Sequence, residues 1–333
     1  MRLKFAVITG ILGAGLLLGA RFTPRPEPTP LVVPDGWPAP KYDFARNPLT
    51  REGIALGRRL FYDPILSRDS TISCASCHLS FTAFTHVDHA LSHGIKDRIG
   101  RRNASTLMNL AWSAAFMWDG SVHHLDFQAL APLADSTEMD HDLGAVLQKL
   151  RQQPTYRRLF GAAFGDSTIT GEHFLKAIAQ FELTLVSANA KYDRVRAGQD
   201  TFSTQEKAGY GVFQRHCAEC HAEPLFSNGG FANNGLPIDS FLMDWGRAKV
   251  TQHPADRLLF KVPTLRNVEF SYPYMHDGRF RKLRDVLQHY SNAEIKGQKM
   301  NFTPVEKADL TAFLLTLTDK TFLFNPEFSF PKN

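Results

Sequence analysis

Long apolar runs are missing from this chain after its N-terminus. Nowhere beyond residue 20 do side chains stay apolar for the ~20 positions a membrane helix needs, which excludes a bundle of spanning helices. Cysteine is scarce, four in 333 residues, and would permit only three disulfide pairings. A strong excess of one charge is absent too: 38 Lys and Arg against 33 Asp and Glu leave +5, which does not argue for nucleic acid. Strand-like alternation is also scarce, leaving a mainly helical architecture. What is present is 43% apolar residues with 26 Phe and only 21% charge, the composition of a soluble globular protein rather than a disordered one. At ~150 residues per domain, the length suggests two domains.

Residues 1–20 place basic Arg2 and Lys4 before a small and apolar stretch from Ala6 to Ala20, the plan of a secretory signal peptide. An uncleaved N-terminal membrane anchor is the competing reading. No cysteine lies near Ala20, so a lipoprotein is not indicated. Seven of the 19 prolines fall between Thr23 and Pro40, and residues 21–40 read as an extended linker.

Every cysteine belongs to one of two pentapeptides, Cys74-Ala75-Ser76-Cys77-His78 and Cys217-Ala218-Glu219-Cys220-His221. One C-x-x-C-H suits a redox pair as well as a cofactor. Two copies that use up all the cysteines of an exported chain point to two covalently bound haem c groups. Two thiols three positions apart on a helical turn each reach one haem vinyl, and the adjacent histidine reaches the iron from the same side. His78 and His221 are therefore the expected proximal ligands. A zinc site made from both cysteine pairs is the alternative, and it leaves the two histidines unexplained.

Each pentapeptide follows a helical pattern. Thr50 precedes Arg51-Glu52, and Ile54, Leu56, Leu60 and Phe61 supply an apolar face before Asp63-Pro64 stops the helix. Ser203-Thr204-Gln205-Glu206 is a capping box that opens a helix through Tyr210, Val212 and Phe213 into Cys217. Phe174, Ile178, Phe181 and Leu185 predict a core helix over 173–187. Thr303-Pro304-Val305-Glu306 starts another through Leu310, Phe313, Leu314 and Leu317. The expected organisation is two tandem cytochrome c-like haem domains, residues 41–190 and 191–333, joined near 188–200.

Between the pentapeptides stand Arg101-Arg102-Asn103-Ala104-Ser105-Thr106, then Met117-Trp118-Asp119-Gly120, then Gln128, Pro132 and Glu138; Phe260-Lys261-Val262-Pro263-Thr264-Leu265-Arg266-Asn267 follows the second. In motif order the chain, from about Asn47 to Asp319, resembles the bacterial di-haem cytochrome c peroxidases, a family that includes the MauG-type enzymes. The resemblance implies an N-terminal peroxidatic haem and a C-terminal electron-transfer haem, with Trp118 between them. It implies Glu138 as the distal carboxylate that moves a proton between the oxygens of hydrogen peroxide, with Gln128 beside it. It also implies a calcium ion between the haems, held by Asn103, Ser271 and the Pro273 carbonyl, since oxygen ligands suit that cation. His276 matches a histidine near the second haem, in a hydrogen-bonding role.

Two positions depart from the conventional peroxidase. Its distal histidine on the first haem corresponds to Ile95, with His93 two residues out of register and His86 and His89 as further candidates, so the first haem is expected open or readily opened, with His93 as the fallback ligand. The methionine on the second haem is replaced by Tyr290, as in the MauG type; Met275 and Met300 lack the register. A phenolate is a harder donor than a thioether and favours oxidised iron; the competing reading makes Tyr290 a core tyrosine. The leading expectation is a periplasmic peroxidase that reduces hydrogen peroxide with electrons from a small cytochrome c or cupredoxin. The second is a MauG-like oxidase that acts on a partner protein through high-valent iron; the third is a non-enzymatic di-haem carrier. Relatives are often dimers, so a homodimer is possible.

Overall fold

The computed structural model describes residues 26–331, so the expected signal peptide lies outside the described residues. The first half is built from α1 (Arg51–Tyr62), α2 (Cys74–Cys77), α3 (Leu130–Ala134), α4 (Leu143–Arg151), α5 (Pro154–Phe164) and α6 (Gly171–Leu183). Then come α7 (Lys191–Arg196), α8 (Thr204–His216), α9 (Ala248–Thr251), α10 (Leu283–Asn292), α11 (Pro304–Leu315) and α12 (Lys320–Leu323). Sheet is confined to two antiparallel ribbons among the described residues. One pairs β1 (Phe231–Ala232) with β2 (Phe260–Lys261), the other β3 (Glu294–Ile295) with β4 (Gln298–Lys299). No helix of the described residues is long and apolar enough to cross a membrane.

The caps fall where the residue types put them. Thr50 accepts a hydrogen bond from the Gly53 amide at the start of α1, and Ser203 and Glu206 cap each other's backbone at the start of α8. Glycine lets each of these two helices approach its partner closely. A Cβ on Gly57 would lie 1.9 Å from the Ala177 carbonyl oxygen of α6, and one on Gly209 would lie 1.9 Å from the Asp309 carbonyl oxygen of α11. Each C-x-x-C-H is thus preceded by a helix locked through glycine onto a later helix of the same half.

Three apolar clusters fill the interior. Phe61, Phe84, Trp112 and Phe181 anchor one, while Leu56, Leu60, Phe160, Phe174 and Ile178 anchor a second that shares α1 and α6. The third, Val212, Phe213, Phe226, Leu310 and Phe313, lies wholly within residues 192–317. From Lys320 the chain turns back to the first half: the Phe322 ring meets Phe84 at 6.0 Å, and the Tyr62 hydroxyl donates to the Phe328 carbonyl at 2.6 Å.

Two expectations need correction, and the expected junction holds a helix of its own. The helix predicted over 173–187 ends at Leu183, because the Thr184 hydroxyl caps Phe181 and the backbone beyond is diverted to Asn109; Leu185 is buried all the same. The junction near 188–200 contains α7, whose Asp193 receives the fully buried guanidinium of Arg266 at 2.8 and 2.9 Å. The proline-rich segment is extended, as expected, but it is a packed strap rather than a free linker. The Thr29 amide donates to the Leu49 carbonyl, Trp37 sits edge-on to Trp112 at 4.8 Å, and the Trp112 indole donates to the Pro38 carbonyl at 2.7 Å.

Candidate functional site

The two pentapeptides line two cavities. A cleft of about 720 Å³ between the halves is lined by Cys217, Cys220, His221, Trp118 and Tyr290, a size suited to a large ligand. A narrower cavity of about 50 Å³ is lined by Cys74, Cys77, His78 and Glu138. Gln128 and Leu107 line both, so the cavities meet at these side chains.

In each pentapeptide one turn of backbone brings the histidine back over its cysteines: the His78 amide donates to the Cys74 carbonyl at 3.0 Å and the His221 amide to the Cys217 carbonyl at 2.8 Å. The His78 Nδ1 lies 2.7 Å from the Phe84 carbonyl, and the His221 Nδ1 lies 3.1 Å from the carbonyls of both Phe226 and Pro263. A carbonyl partner requires the proton on Nδ1, which leaves Nε2 with its lone pair as the metal-binding atom. Burial pushes the His78 imidazole down to about 4 and His221 downward too, so both stay neutral.

None of the four cysteines is paired in a disulfide. Burial pushes Cys74 and Cys217 up to about 12 and Cys77 to about 11, the opposite of the lowered value a reactive redox pair needs. The pairs line different cavities, and among the described residues no group of three or more His, Cys, Asp and Glu is arranged to hold a metal ion. The zinc alternative fails on that arrangement. Two thiols plus one Nε2-presenting imidazole, repeated on two cavities, is a donor set that fits two haem groups.

Glu138 is largely buried, and desolvation, with Asp135 nearby, pushes its carboxyl up to about 7. It is held from the loop after the first pentapeptide: Ser92 Oγ donates to Oε1 at 3.3 Å, and the Ile95 amide donates to the Glu138 carbonyl at 2.8 Å. Gly94 makes this fit possible, since a Cβ there would stand 2.2 Å from the Thr137 carbonyl oxygen. Ile95 is fully buried and lines neither cavity. His86, His89 and His93 line neither as well; the His93 Nδ1 faces Asp97 at 2.9 Å and its ring stacks on His89.

Trp118 lines the larger cleft, its indole donating to the Asn103 carbonyl at 2.9 Å and its own carbonyl accepting from the Lys261 amide at 2.7 Å. Arg102, two residues upstream of Ala104, braces that wall by pairing with Asp119 at 2.7 Å and Asp244 at 2.6 Å. Asn103, Ser271 and Pro273 line the same cleft, with the Asn103 side chain donating to Ala90 and its amide to the His276 carbonyl. His276 stacks on Phe260 at 3.7 Å with its buried Nδ1 unpartnered. Tyr290, on the last turns of α10, lines the cleft with His221, and burial raises its phenol far above the ordinary value.

Three lining residues were given no role by the sequence reading. Met139 is a thioether beside Glu138 in the narrow cavity. Glu182 is 3% exposed there, its Oε2 without a partner and its carboxyl raised to about 8 by burial. A lone carboxyl in the apolar run from Phe174 to Leu185 was the available signal. Lys261, inside the Phe260–Asn267 motif, lines the larger cleft.

A family model described as di-haem cytochrome c peroxidase matches residues 51–201. The chain is 35% identical to the methylamine utilization protein MauG of Methylophilus methylotrophus, over 93% of each chain. It is 34% identical to the cytochrome c551 peroxidase of Nitrosomonas europaea, over 86% of this chain and 85% of that one. The crystal structure of a MauG-like protein associated with microbial copper homeostasis superposes with a TM-score of 0.81 at 30% identity, covering 90% of this chain and 98% of the other.

Proposed function

The chain belongs to the di-haem cytochrome c peroxidase family, and on that premise we propose that it is a periplasmic peroxidase reducing hydrogen peroxide to water with electrons from a small cytochrome c or cupredoxin. Two cytochrome c-like haem domains in tandem, 41–190 and 191–333, form it, with the segment from Lys320 packed back on the first. The observation that carries the reading is a largely buried carboxyl, Glu138, on the wall of a cavity in which His78 is the one histidine among the described residues.

Haem c attached through Cys74 and Cys77 and ligated by His78 would supply the iron at which peroxide is reduced. The proton work belongs to Glu138. In its anionic form the carboxylate takes the proton from one peroxide oxygen and delivers it to the other, which leaves as water. Two electrons and two protons per peroxide give two waters. Gln128, at the meeting point of the cavities, orients the peroxide by hydrogen bonding, while Leu133, Phe174 and Ile178 keep bulk water out. Trp118 passes electrons between the haem held by Cys217, Cys220 and His221 and the first. Calcium held by Asn103, Ser271 and the Pro273 carbonyl would bind the wall on which Trp118 rests.

Steady-state peroxide consumption with reduced cytochrome c, before and after reductive pre-treatment, tests this reading; no turnover in either state overturns it. A MauG-like oxidase of a partner protein is the second reading, favoured by Tyr290 beside His221 in the cleft. It requires a persistent oxidised spectrum when peroxide meets the diferric protein without pre-reduction.

A further inference from the structure

The cleft between the halves carries a charge imbalance on one wall. Lys261 stands on β2, where its amide is bonded to the Trp118 carbonyl, and its side chain crosses toward the first half, with Nζ 3.4 Å from Ser113 Oγ and 5.8 Å from the Phe116 ring centre. Lys41, on the strap, lines the same cleft, its Nζ close to Gly229. Among the described residues neither lysine makes an ion pair with a carboxylate. Burial, with the charge of Lys41 added to it, pushes the Lys261 ammonium down to about 8. Two cations facing one ligand-sized cleft, one of them half-buried, repel each other, and neither has a carboxylate in contact. An anion within the cleft resolves both costs.

The geometry points to Lys261, seconded by Lys41 at the rim, as the site that receives a carboxylate of the haem attached at Cys217 and Cys220. This rests on the haem reading above and extends it. A macrocycle covalently held at one edge still needs its free acid groups neutralised, and Lys261 and Lys41 line that space on the wall beside Trp118 without an ion pair, while Lys299, also without one, lines it from β4. Because Lys261 holds Trp118 through its backbone, the same residue ties the cofactor's position to the tryptophan beside it.

The test uses the full-length protein carrying its haems, as K261M, K261R and K41Q. The readouts are the midpoint potential of the C-terminal haem, the haem-to-protein ratio and the Tm. With the cation gone, the ferric state is favoured. K261M should therefore lower the potential by the equivalent of a roughly tenfold change in the oxidised-to-reduced ratio, about 59 mV for one electron. It should also lower the Tm. K261R should retain both values, and K41Q should give a smaller shift of the same sign, because water screens an exposed lysine. A K261M protein with full haem content, unchanged potential and raised Tm overturns the assignment, since it marks a lysine whose removal only relieves burial. A shift that added chloride or phosphate abolishes overturns it too, in favour of a solvent anion. A wild-type protein without haem at Cys217 and Cys220 overturns the haem reading itself, which the haem ratio reports separately.

Discussion

In the proposed reaction Glu138 acts through its environment more than through its identity. Desolvation lifts its carboxyl to about 7, so it can gain and lose a proton near neutral pH, which a surface glutamate cannot do. The sign follows: below that value the group is protonated and cannot accept the peroxide proton, above it the carboxylate can. The specific activity of the wild-type protein should rise with pH through about 7, and E138Q should lose about 10²- to 10⁴-fold in kcat and lose that limb. A pH–rate profile of both proteins, with haem content matched by spectrum, checks it. At this scale the two C-x-x-C-H motifs were legible because their spacing is fixed within five residues, and the roles proposed for Glu138, Trp118 and Tyr290 came by resemblance. Glu182 and Lys261 were not, because their significance lies in what packs around them: an isolated carboxyl or ammonium in a sequence is a surface group until the tertiary structure encloses it.

Among the elements, α1 with α6 and α8 with α11 repeat one contact, a helix leading to a C-x-x-C-H clasped through glycine to a later helix. Alanine in a helix is ordinarily favoured over glycine by about 1 kcal/mol. Here the added methyl would sit 1.9 Å from a carbonyl oxygen of the partner helix, so the sign reverses. G57A and G209A should each destabilise by about 1–3 kcal/mol, read as a fall in Tm, with the haem spectrum perturbed in the half that carries the substitution. The caps of α1, α8 and α11 were readable because Thr50, Ser203 and Thr303 act on amides two or three positions away. The end of α6 was not: apolar spacing continues to Leu185, but Asn109 bonds Ser187 in both directions and draws the chain out of the helix. That competitor is distant in sequence.

At the level of the whole molecule, the two ends of the described chain fasten the halves together. The strap brings Trp37 beneath the Arg266 guanidinium, 4.7 Å from the ring centre, while Asp319 accepts from Ser187 and Asn189 before α12 carries Phe322 and Leu323 into the first half. Truncation after Asp319 should cost about 3–6 kcal/mol for those two buried side chains alone. On heating, the spectrum of the haem proposed at Cys74 should then change before that of the haem at Cys217, as absorbance melts of the truncated protein would show, because thioethers keep each haem on its chain while its half unfolds. By itself the sequence determined the mainly helical class, the two C-x-x-C-H motifs and the starts of the principal helices, since these depend on spacing within a few residues or a turn. Only the tertiary structure decided that the strap packs, that the C-terminal tail belongs to the first half, that Ser92 holds Glu138 and that Lys261 faces the cleft. Each of these joins residues far apart along the chain, and burial, which sets their charge and their chemistry, exists only once those distant segments have met.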